Sequence, residues 1–329
     1  MSRAVEWVRR HPTPAFFLFT YAWSWTLWKA FDRLYLGGNV LALPFIMLGM
    51  FGPGLVGLGL SAALDPDPNL GDRRRVALAF AVAWLPAALL ITLDQVLNEG
   101  RSARLSTVAM SAMAGLVPAV VVASAFSGVP GIRRHLATIR RPTGHAGYYA
   151  LAISLFAAIW LIGVAVTREL GSPVQPRTLP PAAASIGVVG AVVLRFFYNV
   201  MPNALSEEVG WRGFALPRLQ DRYSPLAASL VLWVFWAIWH GPAYLGGFAA
   251  QSLEDTLVEW VLVLPVAIVF TWFYNRTKGS LLVVALLHPA MNTATQFLPI
   301  TLAGLGLLLA FVAFAIVRDR MWRRLPVRP

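Results

Sequence analysis

Apolar stretches long enough to cross a membrane recur along almost the whole chain, at 14–32, 40–63, 76–97, 105–128, 147–167, 186–218, 226–247, 256–275, 280–298 and 299–317. A hydrocarbon core of about 30 Å is crossed by a helix of about 20 residues. In lipid each backbone N–H and C=O must be satisfied within its own segment, so runs of this length fold as helices. The expected fold class is all-α: a polytopic transmembrane helix bundle of about ten helices. The count becomes nine if one of the last two, parted only by Leu298, Pro299 and Ile300, is re-entrant. Composition agrees, with 58% hydrophobic and 13% charged residues. No polar stretch is long enough to fold by itself, so one membrane-embedded domain is expected. The first run lacks a small-residue cleavage site and reads as a retained helix.

Basic residues between the runs set the expected orientation. Arg3, Arg9, Arg10, Arg73, Arg74, Arg75, Arg133, Arg134, Arg140, Arg141, Arg218, Arg222, Arg276, Lys278 and the five arginines of the tail, Arg328 among them, fall on one side of a ten-helix arrangement. That side holds 19 basic groups against 7 on the other, which puts both termini in the cytoplasm. The net charge of +12 then reads as attraction to anionic headgroups, worth about 1 kcal/mol per basic residue near the surface. The arginines form no continuous stripe, so no nucleic-acid partner is expected. Lys29 and Lys278 are the two lysines among 27 basic residues, a bias typical of GC-rich bacterial genomes, so the expected location is a bacterial cytoplasmic membrane. There is no cysteine, which leaves His, Glu and Asp as the candidate chemistry.

Five ionisable groups fall near the middle of apolar runs: Glu207, Glu208 and Arg212 in "SEEVGWRGF" (206–214), His240, and His288. Arg195 and Arg218 stand 23 residues apart, roughly 34 Å of helix, and each can reach an opposite interface. Glu207 is then near mid-depth, and His240 and His288 come to about the same level when counted from Pro225 and Lys278. Charges there cost about 2.5–3.5 kcal/mol each and face a protein interior by default. Glu208 and Arg212 are i,i+4 and share a helix face. Glu207 is turned about 100° away, between Asn203 and Trp211, and is the carboxylate free to act as a general base. His288 and Asn292, also i,i+4, can present an imidazole N–H and an amide N–H to one point as oxyanion donors. Pro289 between them is expected to loosen the helix.

The order "EEVGWR", "FWAIWH", "HPAMN" resembles the three-motif signature of the CPBP family of intramembrane proteases, which includes CAAX prenyl endopeptidases of the Rce1 type and bacterial Abi-type homologues. The family's aromatic four residues before the second-motif histidine is here Trp236. The resemblance covers about 195–297, and it divides the chain into N-terminal helices (1–185), a CPBP-like catalytic core (186–298) and a last helix with a basic tail (299–329). It implies peptide-bond hydrolysis in or at the membrane. Glu207 would activate water with His240, His288 and Asn292 would stabilise the oxyanion, and Arg212 would hold the glutamates; Glu208 is either a supporting partner or the alternative base.

No cofactor is expected. The alternative is a zinc site with Glu207, His240 and His288 as ligands, since a catalytic zinc takes three protein ligands and a water; the absence of HExxH spacing and the presence of Asn292 weigh against it. The expected substrate is a hydrophobic or lipidated peptide or a membrane-protein segment. Trp211, Trp236 and Trp239 read as packing before they read as walls of a substrate site. A transporter and a non-catalytic immunity or scaffold protein are the rival readings; no internal repeat of the kind common in transporters is found.

Overall fold

The computed structural model describes residues 3–36, 42–66, 71–140 and 143–326. Arg141 and Arg328 lie outside the described residues, as do the first two positions of the run at 40–63. Among the described residues there is no strand. The helices are α1 (Arg3–Arg10), α2 (Pro12–Leu36), α3 (Ala42–Met50), α4 (Gly52–Leu64), α5 (Arg73–Leu97), α6 (Leu105–Ser124), α7 (Pro130–His135), α8 (Ala137–Arg140), α9 (Gly147–Glu169), α10 (Ala182–Asn199), α11 (Leu216–Gln220), α12 (Pro225–Trp239), α13 (Gly241–Tyr244), α14 (Leu253–Arg276), α15 (Leu281–Phe297) and α16 (Leu302–Arg318). Helical backbone continues from α10 to α11 as one element of 39 residues.

Every run expected to span is helical. Among the described residues six helices qualify as spans by length and apolar composition: α5, α6, α9, the α10–α11 element, the α12–α13 element and α14. The run at 40–63 becomes a broken pair, α3 and α4, bent by 58°. The cause is local: Pro53 sits in the first turn of α4, where it has no N–H for a preceding carbonyl and its ring crowds the turn before it. α15 and α16 are apolar but only 17 residues long each. α15 runs unbroken through Pro289.

The outside of the bundle is apolar, as an integral membrane protein requires. On α5, Leu78, Val82, Leu85, Leu89 and Leu93 are all exposed at helical spacing, a stripe that has no place in water. The inside is aromatic: Phe16 and Phe17 of α2 pack on Trp211, and Phe16 also stacks on Phe214. Gly163 and Gly304 bring α9 and α16 together so closely that a Cβ on the first would lie 2.5 Å from the Cα of the second. Small residues of this kind let membrane helices touch by backbone.

Candidate active site

The helix that carries "SEEVGWR" is not a plain α-helix. From Val200 to Glu208, and again from Trp211 to Ala215, it is π-helical. Pro202 gives the reason, because it lacks the N–H of the i→i−4 ladder, and widening to i→i+5 bonds is one way a helix absorbs that defect. Neighbouring elements hold the widened turns. Ser206 Oγ donates to the carbonyl of Met50 at 2.6 Å, at the end of α3 where the bend frees acceptors. His135 Nε2 donates to the carbonyl of Val209 at 2.7 Å, and Nδ1 then accepts from Ser61 Oγ at 2.8 Å. A carbonyl can only accept, which fixes this tautomer. α4 lies directly against the same turns: a Cβ on Gly210 would stand 2.5 Å from the backbone of Pro53, and one on Gly54 would stand 2.9 Å from the carbonyl oxygen of Leu205.

Glu207, Glu208, Arg212 and His288 are all buried, at 6%, 1%, 0% and 2% exposure. They do not form one cluster of equivalents. Glu208 Oε1 accepts from Arg212 NH1 at 2.8 Å and from His288 Nδ1 at 2.7 Å. The Arg212 guanidinium also lies against two rings, 4.5 Å from that of Trp236 and 4.6 Å from that of Phe270, and cation–π contacts of this kind are worth about 2 kcal/mol when desolvated. Glu207 has no cation among its bonded partners. Its Oε2 accepts from Trp236 Nε1 at 2.6 Å and its Oε1 from Asn203 Nδ2 at 3.3 Å. Asn203 is held in turn by Asn292, whose Nδ2 donates to Asn203 Oδ1 at 3.0 Å.

His240 stands where α12 ends and α13 begins. The run at 226–247 was expected to be continuous; Pro242, in the first turn of α13, accounts for the break. His240 Nδ1 donates to the carbonyl of Trp236 at 2.9 Å, so in the neutral ring Nε2 carries the free lone pair. Trp236 thus serves both residues, its indole bound to Glu207 and its carbonyl to His240. The ring of His240 also stacks on Tyr244, with 5.3 Å between centroids.

Of the residues singled out in the sequence, the α-helical pairing of Glu208 with Arg212 forms, and Asn203 neighbours Glu207. The histidine bonded to a glutamate is His288, and the glutamate is Glu208. Among the described residues no three of His, Cys, Asp or Glu are grouped to hold a metal ion. Arg195 does not merely anchor an interface, since its NH1 is paired at 2.7 Å with the buried Asp94 of α5. Trp211 and Trp239 are buried and packed edge to face. Sequence reasoning passed over Trp236 as a hydrogen-bond donor, His135 as a support, and the pair Asn199–Thr293, joined at 3.2 Å. A proline inside an otherwise regular apolar helix was the available signal for the π-helical turns.

Residues 189–294 match the family model described as type II CAAX prenyl endopeptidase Rce1-like. All six candidate site residues lie within that stretch. Over 127 residues the chain is 32% identical to a protein of Methanococcus maripaludis named CAAX prenyl protease 2, an overlap of 36% of this chain and 47% of that one. The chain therefore spans about half the length of that relative. Both findings support the resemblance to CPBP-family proteases read from the three motifs.

Proposed function

We propose that this chain is an intramembrane endopeptidase that hydrolyses a peptide bond in a hydrophobic or lipidated peptide, or in a segment of a membrane protein. The observation that carries the reading is the unequal treatment of the two glutamates: Glu208 is held by Arg212 and His288, while Glu207 is held by two neutral N–H donors. A carboxylate without a cation keeps its basicity for a water molecule. Glu207 takes a proton from the attacking water, and the Nε2 lone pair of His240, freed by the bond at Nδ1, shares that water. The new C–O bond makes a tetrahedral oxyanion. The second amide hydrogen of Asn292 is one donor for it, and the imidazole of His288, four residues earlier on the same helix, is the other. The proton on Glu207 then passes to the leaving amine as the C–N bond breaks.

No metal takes part in this scheme, and Asn292 suits it as an oxyanion donor. Both termini face the cytoplasm on the charge asymmetry of the loops, and the basic tail rests on anionic lipid. The test compares the membrane peptides of cells carrying the active protein with those carrying Glu207→Gln, followed by the purified protein on any peptide that differs. Cleavage that resists chelators and disappears in Glu207→Gln is expected. Cleavage that survives Glu207→Gln, or that needs zinc to be restored after chelation, overturns the scheme.

A further inference from the structure

The seam between the site helix and α15 carries polar side chains at successive turns. Counting outward from Glu207 along its own helix, Asn203, Asn199 and Arg195 follow at intervals of four; along α15, Asn292 and Gln296 follow His288 at the same interval, with Thr293 alongside. The two columns are joined at two levels. Asn203 binds both Glu207 and Asn292, and Asn199 binds Thr293. Asn199, Asn203 and Thr293 are all buried. At its far end the seam meets a recess of about 530 Å³ lined by Asn98, Arg177, Arg195, Gln296 and the proline-rich loop. Gln296 Oε1 is buried there without a protein partner.

Two apolar helices need a single polar pair to fix their register, and each further amide adds groups that must be satisfied in lipid. An Asn side chain has two donors and two acceptor sites, more than the single bond that joins Asn199 to Thr293 uses. Such leftover capacity is met by water where a site is polar on several sides. Hydrolysis needs a water at Glu207.

We propose that this seam is the path by which water reaches Glu207 from the face bearing the proline-rich loop, about 18 Å away along the helix. The ligand is water itself, passed from the recess at Gln296 to Asn199 and Thr293, then to Asn203 and Asn292. The proposal rests on Glu207 as the group that activates water, but the seam can be tested without any cleavage assay.

The chain has no cysteine, so single cysteines report without background. In sealed vesicles, silver ion is added to one face or the other, and free thiol is counted afterwards in the denatured protein. Arg177→Cys marks the recess face and Arg134→Cys the opposite one. The expected result is that Gln296→Cys, Thr293→Cys and Asn199→Cys are consumed at rates comparable to Arg177→Cys when silver is on the recess face, and are spared when it is on the other. Thr293→Cys is the least disruptive of the three and decides the matter if the others fail to fold. A Thr293 thiol that silver does not reach, or reaches only from the Arg134 face, overturns the proposal. As a second arm, Thr293→Val should lower kcat about tenfold with KM unchanged; an unchanged kcat counts against the path. Silver reaching the seam in a protein whose cleavage survives Glu207→Gln would leave the path standing and remove the catalytic reading.

Discussion

Trp236 donates its indole N–H to Glu207 at 2.6 Å, and through its own carbonyl it holds His240 as well. A phenylalanine at this position would pack in the same place without the N–H. Hydrogen bonds to charged groups contribute about 1.5–3 kcal/mol, so Trp236→Phe should lower kcat/KM roughly ten- to hundredfold and should lower the thermal midpoint as well, because the same bond is lost from the folded protein. Steady-state kinetics on a cleaved peptide, beside a melting curve, checks both halves.

The two glutamates should separate in stability as well as in activity. Glu208→Gln leaves the fully buried Arg212 without its counter-charge, and removing one partner of a buried pair costs about 3–5 kcal/mol. Glu207→Gln keeps an oxygen and loses no ion pair, so its cost should stay near the about 1 kcal/mol of an ordinary hydrogen bond. Thermal unfolding of the two purified variants in the same detergent gives the comparison; equal losses would mean that Arg212 answers to both.

Close backbone packing predicts a sharp contrast between two glycines. Gly210→Ala must push a methyl into the Pro53 backbone and should cost about 1–3 kcal/mol. Gly59→Ala, on α4 itself, meets nothing within 4 Å and should be neutral or stabilising by up to about 1 kcal/mol. Melting curves of the pair measure this contrast directly.

His135 lies outside the spans, at the end of α7, with Ser61, Val209, Arg134, Asp65 and Arg218 around it. Burial pushes its imidazole down to about 4, with Arg218 adding to the effect and the Val209 and Gly57 carbonyls opposing it. The unfolded chain, with a value near 6.5, binds more protons across that interval. Stability contributed by neutral His135 is therefore complete above about 6.5 and is lost as pH falls toward about 4. A pH series of melting temperatures should show this loss in the wild type and a flatter profile in His135→Gln.

What the sequence made legible followed from periodicity. A pair four residues apart on one helix, Glu208 with Arg212, could be placed without knowing any other helix. Contacts between helices could not. Nothing in one chain's spacing says that His288 meets Glu208, or that Asn292 reaches Asn203, because rotation and register of packed helices depend on side chains from both. Trp236 was ambiguous for a different reason: an indole buries the same apolar area whether or not its N–H finds a carboxylate. Arg195 looked like an interface anchor because its partner, Asp94, comes from a helix 100 residues earlier in the chain.

The contact between α4 and the site helix has a mechanical meaning. With Gly210 seated on Pro53, and Gly54 on Leu205 and Ser206, the two backbones meet with no side chains between them to give way. That wall behaves as a fixed jaw. A side chain added at Gly210 or Gly54 therefore has to displace the backbone itself.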